Sequence, residues 1–212
     1  MKIVSPFFLT LLLSVTSSAA LLTTEGTAEK VEKASVFPSA SATIDGAATK
    51  MTSIGTGLRQ KKLVFVSFKV YVAQLFVSNP ESFKKNEAEA LGSLKDQKAV
   101  AIQLHFLRGV DGPDVQKSFV QSLEKNKVDT KSEPIKQFLD AVNKGGKAVD
   151  GKTLTILGVK LKDESEVIYY ENSNGEVSEI KGAAGLISGI FSIWLGTPVD
   201  DEVATLKKSL LK

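Results

Sequence analysis

The sequence predicts a single α+β domain built on an antiparallel β-sheet. Strand-like runs dominate its first half, helices and hairpins share its second half, and strand and helix do not alternate regularly. The chain has 212 residues, of which 42% are hydrophobic and 24% charged, so it can bury one globular core.

The first half contains three runs with strand character. Residues 36–44 predict an edge strand, because Pro38 has no backbone N–H to donate to a neighbouring strand. Residues 61–77 form the strongest run, since β-branched and aromatic residues are dense and no glycine or proline interrupts them. Residues 98–110 alternate between two faces. One face carries Val100, Ile102, Leu104 and Phe106, and the other carries Ala101, Gln103, His105 and Leu107.

Helix starts are marked by capping residues and prolines. Residues 79–81, 112–114 and 132–134 each predict the beginning of a helix. Residues 182–195 are apolar nearly all round and predict a buried helix. Residues 200–211 predict a final amphipathic helix, with its first residue, Asp200, as the N-cap.

Three strands are expected between the third and fourth predicted helices. Residues 152–161 and 166–171 are strand-like, and Asn174-Gly175 predicts a hairpin that leads into a strand at 176–180.

The N-terminal segment 1–20 predicts a secretory signal peptide. It has a positive start, a short apolar core at 3–15, and small residues at 18–20 before a cleavage site. The apolar core is shorter than the roughly 20 residues that span a bilayer, so we expect no stable membrane span and export to a periplasm or the cell exterior. Residues 21–34 have little apolar periodicity and predict a flexible leader, followed by one folded domain over 35–212.

Chemically reactive residue types are few. The chain has no cysteine and one histidine, His105, which excludes disulfides, iron–sulfur clusters, cysteine nucleophiles and sites that need two histidines. We therefore expect no metal and no cofactor. The net charge of +3 is too small and too dispersed to indicate a nucleic-acid partner, and no pattern indicates an oligomeric state.

Several short motifs follow one another in a recognisable order. They are a glycine-rich turn ending in Arg59, then Val70-Tyr71-Val72, Leu104 to Arg108, Gly112-Pro113-Asp114, Asn174-Gly175 and Ile193 to Pro198. This ordered set resembles the chalcone isomerase-like superfamily, in its bacterial exported form, over residues 36–212. The resemblance implies a large antiparallel β-sheet covered on one face by α-helices, an open-faced β-sandwich with a ligand cleft between sheet and helices. It also implies one of two functions: isomerisation of chalcones to flavanones, or binding of fatty acids without chemistry.

The resemblance also implies five functional positions in the cleft. The arginine of the family is present as Arg59. Its two threonines fall on Val66 and Ile193, its tyrosine on Val115 and its asparagine on Ser122. Ser67 is next to Val66, and Trp194 is next to Ile193. Only the arginine is retained, so the hydrogen-bond donors that an isomerase aims at developing charge are missing, and loss of one such donor costs roughly 10²–10³ in rate.

The favoured hypothesis is a non-catalytic exported protein that binds a fatty acid or a similar amphipathic carboxylate. Arginine suits a carboxylate because its planar fork can donate two parallel hydrogen bonds, and we expect Arg59 to hold it. The apolar chain is expected to lie against Phe65, Val66, Val115, Phe119, Ile193 and Trp194. Arg108 is expected instead to pair with Asp111 or Asp114.

Two alternatives stay open. One is an isomerase or lyase that acts in the same cleft, with Arg59 as electrophile and Ser67, Tyr71 or Ser122 in acid–base roles. The other is a haem- or partner-binding module in which His105 is an axial ligand.

Overall fold

The computed structural model describes residues 20–44, 46–63 and 66–212. In chain order its strands are β1 (Thr23–Glu25), β2 (Glu29–Val31), β3 (Ala34–Val36), β4 (Ser39–Ile44), β5 (Ala47–Leu63), β6 (Val66–Val77), β7 (Ala99–Phe106), β8 (Thr153–Lys160), β9 (Glu166–Glu171) and β10 (Val177–Gly182). The helices are α1 (Gly112–Lys125), α2 (Glu133–Lys144), α3 (Leu186–Leu195) and α4 (Asp201–Leu210). Eight of these strands form one sheet in the order β1-β4-β5-β6-β7-β8-β9-β10, and each neighbouring pair is antiparallel. Strands β2 and β3 form a separate hairpin.

One face of the sheet is covered by the helices. The side chains that β7 buries on this face are those predicted from its alternation, Val100, Ile102, Leu104 and Phe106. They share a core with apolar side chains of the four helices, among them Leu123, Phe138, Phe191, Trp194 and Leu206. Burial of each such side chain contributes about 1.5–3 kcal/mol, so this layer holds the helices on the sheet. The predicted fold class is confirmed.

The sheet curls towards its other face. Ala99 and Ala101 of β7 lie on that face, in a second core with Met51 and Phe76. The Leu21 N–H, just before β1, donates a hydrogen bond of 3.3 Å to Oε2 of Glu171 on β9. The first strand of the sheet therefore approaches the seventh, and the small side chains of β7 leave room on the inner side of the curve.

Residues 21–34, predicted as a flexible leader, contain strands β1 and β2 and buried side chains. Leu22 is only 5% exposed. Strand β1 pairs with β4, so β4 is not the edge strand that the sequence predicts. These corrections have one cause, because strands of three residues are too short to show a period. The predicted signal peptide, apart from Ala20, lies outside the described residues.

The strongest strand run is divided between two strands. Residues 61–63 end β5 and residues 66–77 form β6, and Leu63 pairs with Val66 across the hairpin. No α-helix begins at residues 79–81, where the described chain forms turns and then a short 3₁₀ helix, Gly92–Asp96.

The second half agrees closely with the sequence. Helices α1, α2 and α4 and strands β8, β9 and β10 are present at the predicted positions. Asp200 caps α4, since its Oδ1 accepts a hydrogen bond of 2.7 Å from the Val203 N–H. Helix α3 begins at Leu186, later than predicted, because β10 continues to Gly182 and Gly185 has a φ of +102°.

Two features are absent from the described ranges 20–44, 46–63 and 66–212. No helix there is long and apolar enough to cross a membrane. No group of three or more histidine, aspartate or glutamate side chains there could hold a metal ion.

Candidate functional site

A cavity of about 420 Å³ opens between the sheet and α1. Strands β5 and β6 continue past the end of β7, and their hairpin forms one wall. Helix α1 and the chain that follows β7 form the opposite wall. The apolar side chains that line the cavity are Phe68, Val70, Tyr71, Phe106, Val110, Val115 and Phe119. The charged ones are Arg59, Lys61, Arg108, Asp111 and Asp114.

Arg59 lines this cavity but its charge is matched within the protein. The residue is 7% exposed, and its guanidinium donates to both carboxylate oxygens of Asp200, at 3.2 Å from Nη1 and 2.7 Å from Nη2. Nη1 also donates to the backbone carbonyl of Gln60. Asp200 is the residue that caps α4, so one carboxylate serves both the helix and the arginine.

Two glycines of β5 bring α4 close enough for this ion pair. A Cβ at Gly55 would lie 2.5 Å from the Leu210 backbone oxygen, and one at Gly57 would lie 2.7 Å from Cδ1 of Leu206. Any side chain at either position would therefore push the helix away. The segment that the sequence predicts as a glycine-rich turn lies inside β5, and its glycines provide space for α4.

Arg108 is in the opposite situation. It is exposed, and its guanidinium carbon lies 4.8 Å from the centre of the Phe68 ring, a cation–π contact. Within the described residues it has no ion-pair partner: Asp111 lies 3.9 Å from Lys147 instead, and Asp114 makes no ion pair. The prediction that Arg108 pairs with one of these aspartates is therefore wrong.

Tyr71 contributes a hydroxyl to the cavity. Its oxygen accepts a hydrogen bond of 3.1 Å from Nε1 of Trp194, so its own proton is left to donate. Burial raises the pKa of Tyr71, and the nearby positive charge of Arg59 opposes this rise. The hydroxyl is thus protonated at neutral pH and can donate to an anion.

The predicted site residues separate into three groups. Arg59, Val115 and Phe119 line the cavity. Trp194, Ile193 and Ser122 are buried behind the lining, where Trp194 packs edge-on against Phe119 with ring centres 5.4 Å apart. Val66 and Ser67 are exposed and do not line it, and Phe65 lies outside the described residues.

Sequence reasoning missed several lining residues, namely Lys61, Phe68, Val70, Tyr71 as a ligand donor, Phe106 and Arg108. The alternation of β5 contained part of the signal, since Lys61 follows Arg59 at a spacing of two. This spacing alone did not identify the wall of the cavity, because residues 61–77 were predicted as one strand. In the structure a hairpin interrupts this run and pairs Phe68 with Lys61.

His105 lies on the face of the sheet opposite to the helices. In register it pairs with Val72 and Thr153, and it does not line the cavity. Its Nε2 is buried without a hydrogen-bond partner in the described part of the chain. Burial lowers the pKa of His105 to about 4, so the ring is neutral at physiological pH.

A model of the chalcone isomerase-like family matches residues 30–212. Among solved structures, the chain is similar to a fatty-acid binding protein of Arabidopsis thaliana, with 16% sequence identity and a TM-score of 0.53 over 81% of this chain and 95% of that one. Similarity at this identity shows a shared fold. The comparison with curated proteins gave no match.

Proposed function

Because the chain belongs to the chalcone isomerase-like family, we propose that its cavity binds a fatty acid or a similar single-chain amphipathic acid without catalysing a reaction. The observation that carries the proposal is the composition of the cavity, which combines aromatic and aliphatic walls with cationic side chains and the Tyr71 hydroxyl. An amphiphile with one anionic head matches both parts.

The size of the cavity and the energetics of burial support such a ligand. A volume of about 420 Å³ lies in the lower part of the range of about 300–1,000 Å³ that is usual for small-molecule sites. Burial of eight methylene groups contributes about 6 kcal/mol, which offsets much of the cost of association. Acids of medium chain length are therefore the natural first probes.

The isomerase alternative has less support. Of the positions that the resemblance assigns to hydroxyl or amide groups, Val115 alone is among the lining residues, and it has no donor. The buried Ser122 hydroxyl donates to the Ser118 carbonyl at 3.1 Å, within its own helix. At these positions the site offers apolar contact in place of donors aimed at developing charge. One solved protein of similar fold is a fatty-acid binding protein, which agrees with the binding function.

We also propose that the protein is exported to a periplasm or the cell exterior. This rests on the sequence of residues 1–20, with its short apolar core and small residues at 18–20. Cell fractionation followed by N-terminal sequencing tests it: the mature chain is expected to begin near residue 21. An intact N-terminus in the cytoplasmic fraction contradicts it.

The binding function is tested with decanoate and the purified protein. The chain has one tryptophan, Trp194, which contacts Phe119 and Tyr71 of the lining, so its fluorescence reports on the cavity. Decanoate is expected to change this fluorescence saturably and to raise the melting temperature, because a ligand that binds only the folded state stabilises it. Absence of both effects, with no lipid detected by mass spectrometry in the protein as purified, contradicts the proposal.

A further inference from the structure

We propose that the anionic head of the ligand is bound by Arg108, assisted by Lys61, and that Arg59 is a structural residue which fixes helix α4. This assignment rests on the proposed function, because it concerns which cation of the same cavity the ligand contacts. It inverts the roles that the sequence predicts for the two arginines.

Arg59 is less suited to bind the head group because Asp200 already matches its charge. The bidentate pair with Asp200 and the bond to the Gln60 carbonyl use three of its five N–H groups and involve both terminal nitrogens. A ligand carboxylate could pair with both terminal nitrogens only by displacing Asp200. That displacement also removes the Val203 N–H from its acceptor, since Asp200 is the cap of α4. Ligand entry there would therefore disrupt a helix end, whereas entry elsewhere in the cavity would not.

Arg108 is suited to bind it for three reasons. It lines the cavity, it has no ion-pair partner in the described residues, and its guanidinium carbon lies over the ring of Phe68. A guanidinium over an aromatic face can still donate two parallel hydrogen bonds from its edge to a carboxylate. Packing against Phe68 also limits the rotamers that must be frozen on binding, which lowers the entropic cost.

The charges that remain favour a head group with a single negative charge. Once Asp200 neutralises Arg59, the lining holds the cations Lys61 and Arg108 and the anions Asp111 and Asp114. These four charges sum to zero, so a bound monoanion leaves the lining with a net charge of −1 and a bound dianion leaves it with −2. The smaller excess of charge favours a carboxylic acid over a phosphate monoester.

The test measures decanoate binding by Trp194 fluorescence in the full chain and in three variants. Arg108→Ala is expected to weaken decanoate binding by about tenfold or more, since charge-assisted hydrogen bonds are lost, while binding of uncharged decanol changes less than threefold. Arg59→Met is expected to lower the melting temperature but to weaken decanoate binding less than threefold. Lys117→Ala, which removes an exposed cation of α1 that does not line the cavity, is the matched control and is expected to leave both unchanged.

The outcomes separate the assignment from the function. Loss of decanoate binding in Arg59→Met with wild-type binding in Arg108→Ala overturns the assignment and leaves the proposed function standing. Equal loss of decanoate and decanol binding in Arg108→Ala also overturns the assignment, because it shows damage to the cavity and no role for charge. If Arg59→Met does not fold, wild-type affinity in Arg108→Ala is by itself sufficient to overturn it. Absence of decanoate binding to the unmodified protein overturns function and assignment together.

Discussion

Arg59 and Arg108 line the same cavity, yet the regions that contain them differ in almost every physical respect. Arg59 is nearly buried, lies inside a strand and is paired with the cap of a helix. Arg108 follows the end of β7, is exposed, lies over the face of an aromatic ring, and makes no ion pair in the described structure. The comparison shows that a cation in a cavity is available to a ligand only if no anion of the protein is already paired with it.

The two regions also differ in what holds them in place. The Arg59 region is a junction between β5 and α4, and it exists because two glycines let the helix lie directly on the strand. The Arg108 region is formed at an open end of the sheet, where β5 and β6 extend past β7. Disturbing the first should therefore affect stability, and disturbing the second should affect binding.

The largest expected effect is on the Arg59 region. Gly55→Ala places a methyl group 2.5 Å from the Leu210 backbone oxygen. Overpacking typically costs about 1–3 kcal/mol, and the upper end is expected here because backbone cannot rotate away. Urea denaturation should show this loss, while the folded variant retains its decanoate affinity. Gly92→Ala is the control, since an added Cβ there meets no atom within 4 Å. Equal stability of the two variants contradicts the proposed close junction.

A second test uses a buried group outside both regions. The native pKa of His105 is about 4, below its ordinary value of 6.5. The unfolded chain therefore binds a proton between these values while the folded chain does not, so stability falls as the pH falls from 7 towards 4. The loss between pH 7 and pH 5 is about 2 kcal/mol at most.

This pH dependence is isolated by comparison with His105→Gln, which keeps every other titratable group. Between pH 7 and pH 5, the difference in the free energy of unfolding between the unmodified protein and the variant should change by about 2 kcal/mol at most. Urea denaturation at each pH measures this difference. Parallel curves from pH 7 to pH 5 contradict it. The result sharpens the comparison, because burial without a partner disfavours the charged form of His105, whereas the Arg108 side chain is exposed.

A third test exchanges the roles of the two regions. Asp200→Asn keeps a good N-cap residue but removes the charge that neutralises Arg59. In the Arg108→Ala background it should restore decanoate binding by about tenfold, because Arg59 then becomes an available cation. Trp194 fluorescence titration measures this recovery. A double variant that binds as weakly as Arg108→Ala would show that Arg59 cannot reach the ligand.

The smallest expected effect concerns the aspartate of the open region. Asp114 lies in the first turn of α1 and lines the cavity. Asp114→Asn removes its repulsion of a carboxylate, so decanoate affinity should rise about threefold, while loss of its favourable interaction with the helix dipole costs about 0.3–1 kcal/mol of stability. Opposite shifts of affinity and melting temperature are expected. An unchanged or lower affinity indicates that the head group lies away from α1.

Much of the fold was predictable because its signals are local. The alternation of β7 gave the two faces of the sheet, and the sequence around Gly112-Pro113-Asp114 gave the start of α1. Asp200 was predicted to cap α4, and its side chain accepts the expected hydrogen bond. Errors occurred where the local signal was too short or ambiguous, as in β1 and β2, and in the run over 61–77 where strand-like residues continue through a change of direction.

The sequence by itself determined the period of each long strand and helix, the family resemblance and the presence of two arginines among 27 basic residues. The tertiary structure alone decided which arginine is free. Asp200 is 141 positions from Arg59 along the chain, and Phe68 is 40 positions before Arg108, so both partners come from folding. Periodicity reports only on residues within a few turns of one another, whereas the availability of a charge depends on whatever the completed fold places within about 4 Å of it.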